Sequence, residues 1–337
     1  MKQVHQHVND DSIVIMELLD LHSSNTFYYE KLKQKLRNDR KLQAFSMNFE
    51  SVQIFTTNDQ GQKFKNPCDV KISYECQCIL ISEFSNSKIH VFDLYSRQYR
   101  MAITTPGMPM YLAIEENYDK CHHDALYFDC NSSKIVYKYH LRALLEGDEQ
   151  NSLLWESLPL ENPRAIALYN SKFGDTNSEF KNVYVCNYGK QAVSILSSDS
   201  GQIIQNIELY IRSPYGITCM SENEIVVSDF TENSLQVWRR ESALNWKAIA
   251  TIDNSGSEVE ISKIRFPQGV AFDQVSKNII LCDNGNSRIL IYSQNGTLVR
   301  QYNFPSTFYC PDGLCVNNKT GELIVCDYNE CIVQIFK

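Results

Sequence analysis

Five acids recur at comparable places along the chain. Glu83, Asp129, Asp229, Asp283 and Asp327 each follow an apolar run and a residue that is usually small, and Asn187 completes the series. Brought together, such carboxylates would make a ring able to hold Ca²⁺ or Zn²⁺, as a metal-dependent hydrolase or lyase requires. The competing reading is structural, because Asp and Asn at a strand end accept hydrogen bonds from turn N–H groups. A reaction uses an asymmetric set of ligands, whereas a fold needs the same bond in every copy. The recurrence therefore favours structural turn acids, with no metal.

Two other groups have ligand chemistry. Cys310, Cys315, Cys326 and Cys331 are spaced as four thiolates of a structural zinc site would be. Cys326, however, falls in the same column as Ser82 and Ser228, and Cys315 in that of Ala113 and Ala271, so packing accounts for both. Cys121-His122-His123, followed by Cys130, lies in a polar insertion and reads as a loop. The 12 cysteines contain no C-x-x-C, no two histidines are four apart, and the closest two of the 13 glycines, Gly313 and Gly321, are eight apart. That spacing excludes the glycine-rich nucleotide loops and the nucleophile elbow. The expectation is a non-enzyme with no catalytic residues and no cofactor.

With 43% apolar residues in 337, the chain has ample material for a core, and 32 Lys plus Arg against 40 Asp plus Glu give a net charge of −8. A field of that sign does not attract polyanions, although a local basic face is compatible with it. No apolar run approaches the roughly 18 residues of a membrane span. Residues 1–11 lack the apolar core of a signal peptide. A soluble cytoplasmic protein with reduced thiols is expected.

The elements that would position these residues follow two registers. Six of the nine prolines are followed three residues later by an aliphatic residue: Pro67/Val70, Pro109/Leu112, Pro163/Ile166, Pro214/Ile217, Pro267/Val270 and Pro311/Leu314. Each opens a run that alternates with the two-residue period of a strand. A second strand ends at each acid or amide, and a third resumes six residues after it, at Ile89, Ile135, Val193, Leu235, Ile289 and Val333. The acids and amide are 46, 58, 42, 54 and 44 residues apart. Six copies of four short antiparallel strands specify an all-β, six-bladed propeller over residues 46–337. The last copy stops after its third strand, so its fourth comes from the N-terminal side, either Gln60–Lys65 or Ser51–Phe55, the second being preferred. Residues 1–45 form a partly helical appendage in which Lys31, Lys33, Lys35, Arg37, Arg40 and Lys41 mark a basic helix face.

Phe266-Pro267-Gln268-Gly269-Val270-Ala271-Phe272-Asp273, then Ile280 to Ile289 and Asn295-Gly296, resemble the NHL repeat, best over residues 266–337 and more degenerate over 67–200. In the first three copies the glycine two after proline is replaced by Asp69, Tyr111 and Ala165. The resemblance implies a binding propeller. Some of its relatives select targets for ubiquitin ligases and others bind single-stranded RNA; no RING accompanies this chain, so a ligase role would need a partner.

Strand one runs away from its proline and strand two returns beside it, so the post-proline and post-acid columns share one face. The first reads Cys68, Met110, Arg164, Tyr215, Gln268 and Asp312; the second reads Phe84, Cys130, Tyr188, Phe230, Asn284 and Tyr328. Arg164, Tyr188, Tyr215, Phe230, Arg288 and Tyr328 are the expected partner-binding residues, since aromatic and Arg anchors dominate interfaces and also stack single-stranded bases. A protein partner is favoured by the net charge, RNA is the alternative, and a monomeric propeller is expected. The strand-one residues Val70, Ile72, Leu112, Ile114, Ile166 and Leu168 suggest an apolar channel without metal ligands.

Overall fold

The computed structural model describes residues 41–57, 61–170, 182–208, 211–254, 263–305 and 310–337. The expected N-terminal helix lies outside this set apart from Lys41 and Leu42, which are not helical.

Six four-stranded antiparallel sheets follow one another along the chain. Blade 1 comprises Pro67–Ser73, Cys78–Glu83, Lys88–Asp93 and Tyr99–Thr104. Blade 2 comprises Pro109–Glu115, Ala125–Cys130, Ile135–His140 and Leu153–Glu156. Blade 3 comprises Pro163–Leu168, Asn182–Asn187, Ala192–Ser197 and Ile203–Ile207. Blade 4 comprises Pro214–Ser221, Glu224–Asp229, Ser234–Arg240 and Trp246–Ile252. Blade 5 comprises Pro267–Asp273, Asn278–Asp283, Arg288–Ser293 and Leu298–Asn303. Blade 6 comprises Pro311–Asn317, Glu322–Asp327 and Ile332–Phe336, completed by Ser51–Phe55. That last strand pairs antiparallel with Ile332–Phe336, so the two ends of the ring meet within one sheet. From Gly61 on, the alternative segment forms an isolated bridge between Lys63 and Thr57 and a bond from Phe64 N to the Thr56 carbonyl.

Every blade begins at its proline because proline has no N–H to donate and is tolerated at the first residue of a strand. The middle strands are apolar on both faces, as in Cys78-Ile79-Leu80-Ile81, because each sheet is covered on both sides by its neighbours. Each pair of adjacent blades encloses its own cluster: Leu80, Ile89 and Leu112 between blades 1 and 2, for example, and Ile81, Ile324 and Val333 between blades 6 and 1. Fourth strands form the rim and expose consecutive residues, among them Ile203 and Ile204 in blade 3 and Leu298 and Val299 in blade 5.

Blade 2 inserts two short helices, Leu141–Glu146 and Glu149–Ser152, before its fourth strand. Gly147 stops the first in the left-handed conformation, and the Asp148 side chain caps the second by accepting from Asn151 N. Phe45 and Phe49, ahead of the first strand, are buried beside Tyr302 and Phe336 of blades 5 and 6. The compact unit that contains the propeller begins at Ala44.

Candidate partner-binding face

In all six blades the ladder between strands one and two breaks just after the proline and resumes three residues later, as between Pro67 and Val70. A break of this kind re-aims the residues it contains. The first and second residues after each proline thereby leave the sheet and meet at the hub, while Val70, Ile72, Leu112 and Ile114 stay in the clusters between blades. The hub therefore mixes apolar Cys68, Met110 and Ala165 with charged Asp69 and Asp312, whereas the sequence places Val70, Ile72, Leu112 and Ile114 there.

Glycine divides it into two halves. In blades 4 to 6, Gly216, Gly269 and Gly313 let consecutive first strands touch: a Cβ on Gly216 would lie 2.1 Å from the Gln268 carbonyl oxygen and one on Gly269 2.2 Å from that of Asp312. In blades 1 to 3 the equivalent residues are Asp69, Tyr111 and Ala165. Asp69 is buried; its carboxylate pairs with Lys71 at 2.7 Å and accepts Leu112 N from the next blade. Tyr111 spans the hub, donating from Oη to Asp312 of blade 6 at 2.5 Å and meeting the ring of Tyr215 in blade 4 edge-on. Burial pushes the Asp312 carboxyl up to about 7, with the Tyr111 bond opposing.

Above this floor lies an aromatic ladder. Tyr215 and Phe230 stack with centroids 5.3 Å apart, Phe230 and Phe266 stack at 5.1 Å, and Tyr188 meets Tyr215 edge-on at 6.4 Å. Arg164 lies between Tyr188 and Tyr215, 5.8 Å and 5.5 Å from their centroids. Across the hub, Phe84 and Tyr328 form a smaller pair at 6.4 Å. Arg164, Tyr188, Tyr215, Phe230 and Tyr328 are all half-buried, with one side of each packed and part left to solvent. Phe266, at 38% exposure, and Arg265 above its ring extend the ladder outward; the sequence reading passed over both.

Arg288 does not join this surface. It is 3% exposed, bound through Nε to Asp283 at 2.5 Å and through its terminal nitrogens to Gln301 and the Lys263 carbonyl. A basic residue opening strand three points back at the acid closing strand two, because those two positions are cross-strand partners.

The acids have separate tasks. Asp229 accepts N–H groups from Arg212, Ser213, Thr231 and Glu232, and Asp327 those of Cys310, Asn329 and Glu330. Glu83 takes Lys65 N and pairs with His90 Nε2 at 3.0 Å. Asp283 takes Arg265 N besides Arg288. Asp129 is not among the turn acids. The proline of blade 2 pairs with Cys130, whereas those of blades 1, 3, 4, 5 and 6 pair with Glu83, Asn187, Asp229, Asp283 and Asp327. Cys130 therefore takes the acid column, fully buried, and Asn131 takes the rim place expected of Cys130. Asp129 drops into the small-residue column, where Oδ1 accepts Tyr111 N at 2.6 Å and Oδ2 has no partner.

Cys130 ends strand two at the hub, while Cys121, His122 and His123 precede that strand at its far end, where Asp119 braces His123 at 2.7 Å. Cys315 and Cys326 are buried in the cluster between blades 6 and 1. Among the described residues no three His, Cys, Asp or Glu side chains are grouped to hold a metal ion.

Residues 308–336 match the family model described as the NHL repeat. The chain carries an NHL repeat in a six-bladed propeller. The NHL match covers the three strands of blade 6 that come from the C-terminal end. Two solved structures of similar fold are the WD40 β-propeller domain of Doa1 and the Myceliophteria thermophila Cps50 (Swd1) β-propeller domain. The first is 9% identical with a TM-score of 0.55, covering 86% of this chain and 97% of that one. The second is 10% identical with a TM-score of 0.56, covering 81% and 98%. At these identities the likeness is one of fold. A search of curated proteins returned no relative. No helix among the described residues is long and apolar enough to cross a membrane.

Proposed function

We propose that this NHL propeller is a non-catalytic scaffold that recognises a protein partner on its proline-side face. The observation that carries the reading is the half-buried ladder of Tyr188, Tyr215, Phe230 and Phe266 with Arg164 held inside it. Large rings fixed by packing lose little entropy on binding and supply most of the energy of an interface, and Arg is the charged residue most often found among such anchors. Loops and strand ends carried on a rigid ring are suited to this use. The net charge of −8 favours a protein over a polyanion.

The test is affinity purification from the native cell with the wild-type chain, Phe230→Ala, Tyr215→Ala and, as a rim control, Ile204→Ser. A partner lost with the first two variants and retained with the third supports the reading. A partner retained by all three sinks it. RNA recovered in a salt-dependent manner and lost with Tyr188→Ala would replace it with the nucleic-acid alternative. The finer form, target selection for a ubiquitin ligase supplied in trans, comes from the NHL resemblance; it requires ligase subunits among the partners lost with Phe230→Ala.

A further inference from the structure

Of the basic side chains around the hub, Lys71 pairs with Asp69 and Arg288 with Asp283, whereas Arg164 has no ion-pair partner among the described residues. Arg164 donates through Nη1 to the thioether of Met110, and its Nε is buried with no partner. A thioether is a weak acceptor, and the two tyrosine faces offer only ring electrons, so the guanidinium lacks the planar anion that its fork of donors matches. The carboxyls near enough to influence it are Asp129 and Asp312, which burial pushes up to about 8 and about 7. At neutral pH neither is a full counter-ion, and leaving the buried Nε–H without an acceptor is costly.

We propose that Arg164 receives a carboxylate of the protein partner at the mouth of the hub, beside Tyr188 and Tyr215. This rests on the reading of the face as a protein-binding surface and adds the chemistry of what enters it. With Nη1 on Met110, the Nε/Nη2 edge is the one left to grip a carboxylate through two parallel bonds. Nε is covered in the free chain, so the guanidinium turns off the weak sulfur contact as the ligand arrives. A single Arg beside two buried carboxyls suits a monoanion; a phosphate dianion would call for a second cation. The carboxylate belongs to an Asp or Glu side chain or to a chain terminus, a choice the experiment makes.

The first probe is benzoate, with benzamide as the uncharged control. Titration into the labelled protein is expected to move the Arg164 Nε–H resonance saturably with benzoate, not with benzamide, and neither ligand is expected to bind Arg164→Gln. Equal responses to both ligands, or none to either, would overturn the proposal.

The second probe is a random peptide library selected on the wild-type propeller. Selected peptides are expected to bind Arg164→Gln about ten- to a hundred-fold more weakly, the range of a hydrogen-bonded charge. Arg164→Lys, which keeps the charge without the fork, should fall between and shows that folding is not the cause. Amidating the C-terminus, or each acidic side chain in turn, identifies the source of the carboxylate. Peptides that lose affinity with Phe230→Ala but not with Arg164→Gln would refute this inference and leave the face intact. Peptides indifferent to Phe230→Ala would refute the face itself, and the benzoate titration would still decide the Arg164 site.

Discussion

Ser82 and Asp129 stand at the same place in successive blades, and only the serine reaches both of its neighbours. Ser82 Oγ accepts Asp69 N at 2.9 Å and donates to the Met110 carbonyl of the next blade at 2.5 Å. Ser228 repeats the pattern with Gly216 N and the Gln268 carbonyl. Asp129 makes the first bond, to Tyr111 N, and its Oδ2 is left without a partner. A hydroxyl both accepts and donates, whereas an ionised carboxylate only accepts.

That difference sets a pH dependence. Burial, opposed by the Tyr111 bond and by Arg164, pushes the Asp129 carboxyl up to about 8. Between the ordinary carboxylate range and that value the folded chain holds a proton that the unfolded chain has released. The contribution of this group is therefore full at low pH and is lost as pH rises through the window. Asp129→Asn removes the titration and supplies an amide donor. It should be more stable than wild type by about 1–3 kcal/mol at pH 8, with the gap closing near pH 4. Urea unfolding at the two pH values measures this, and a gap that does not change with pH would contradict it.

Tyr111 ties blade 2 to blade 6 across the hub through Asp312. Tyr111→Phe preserves the ring contact with Tyr215 and strands a buried carboxyl oxygen. The expected loss is about 1–3 kcal/mol in denaturant unfolding. An unchanged midpoint would mean that the hydrogen bond does not hold the hub together.

Glycine at the close approach of blades 5 and 6 should be irreplaceable. Gly269→Ala sets a methyl group 2.2 Å from the Asp312 carbonyl oxygen, and backbone must move to admit it. A loss of about 1–3 kcal/mol is expected. Gly147→Ala provides the contrast: its added Cβ meets nothing within 4 Å, so any cost there comes from its positive φ alone.

Reactivity of the thiols should follow burial. All 12 cysteines are free, and Cys121 alone is exposed. Burial pushes up the thiols of Cys68, Cys186, Cys282 and Cys326, which keeps them from forming the reactive thiolate. Alkylation of the native protein, read by mass spectrometry, should modify Cys121 first. Early modification of Cys282 or Cys326 would contradict the packed ring.

The wheel was readable because a proline that opens a strand and an aliphatic residue three places on leave the same trace in every copy. Blade 2 misled the alignment: an acid one residue before a buried cysteine looks like the acid column, and only the pairing of Pro109 with Cys130 reveals the slip. Arg288 misled for another reason, since being next to the acid turn in sequence does not tell an outward arginine from one folded back onto Asp283. The charged part of the hub was visible in outline, in the loss of glycine at Asp69, Tyr111 and Ala165, and the ladder breaks that turn those residues inward run from each proline to the aliphatic residue three places on. Phe266 and Arg265 join the ladder through stacking across blades 4 and 5, a contact between distant segments.

Photo-crosslinking from two positions puts the binding face itself to the test. With benzoylphenylalanine in place of Phe266 on the aromatic ladder, or of Ile204 on the outer rim, irradiation in the native cell should give a discrete protein adduct from position 266 and none of that mass from 204. The same adduct from 204 alone would show that the partner grips the rim, and the proline-side face would lose its assigned role.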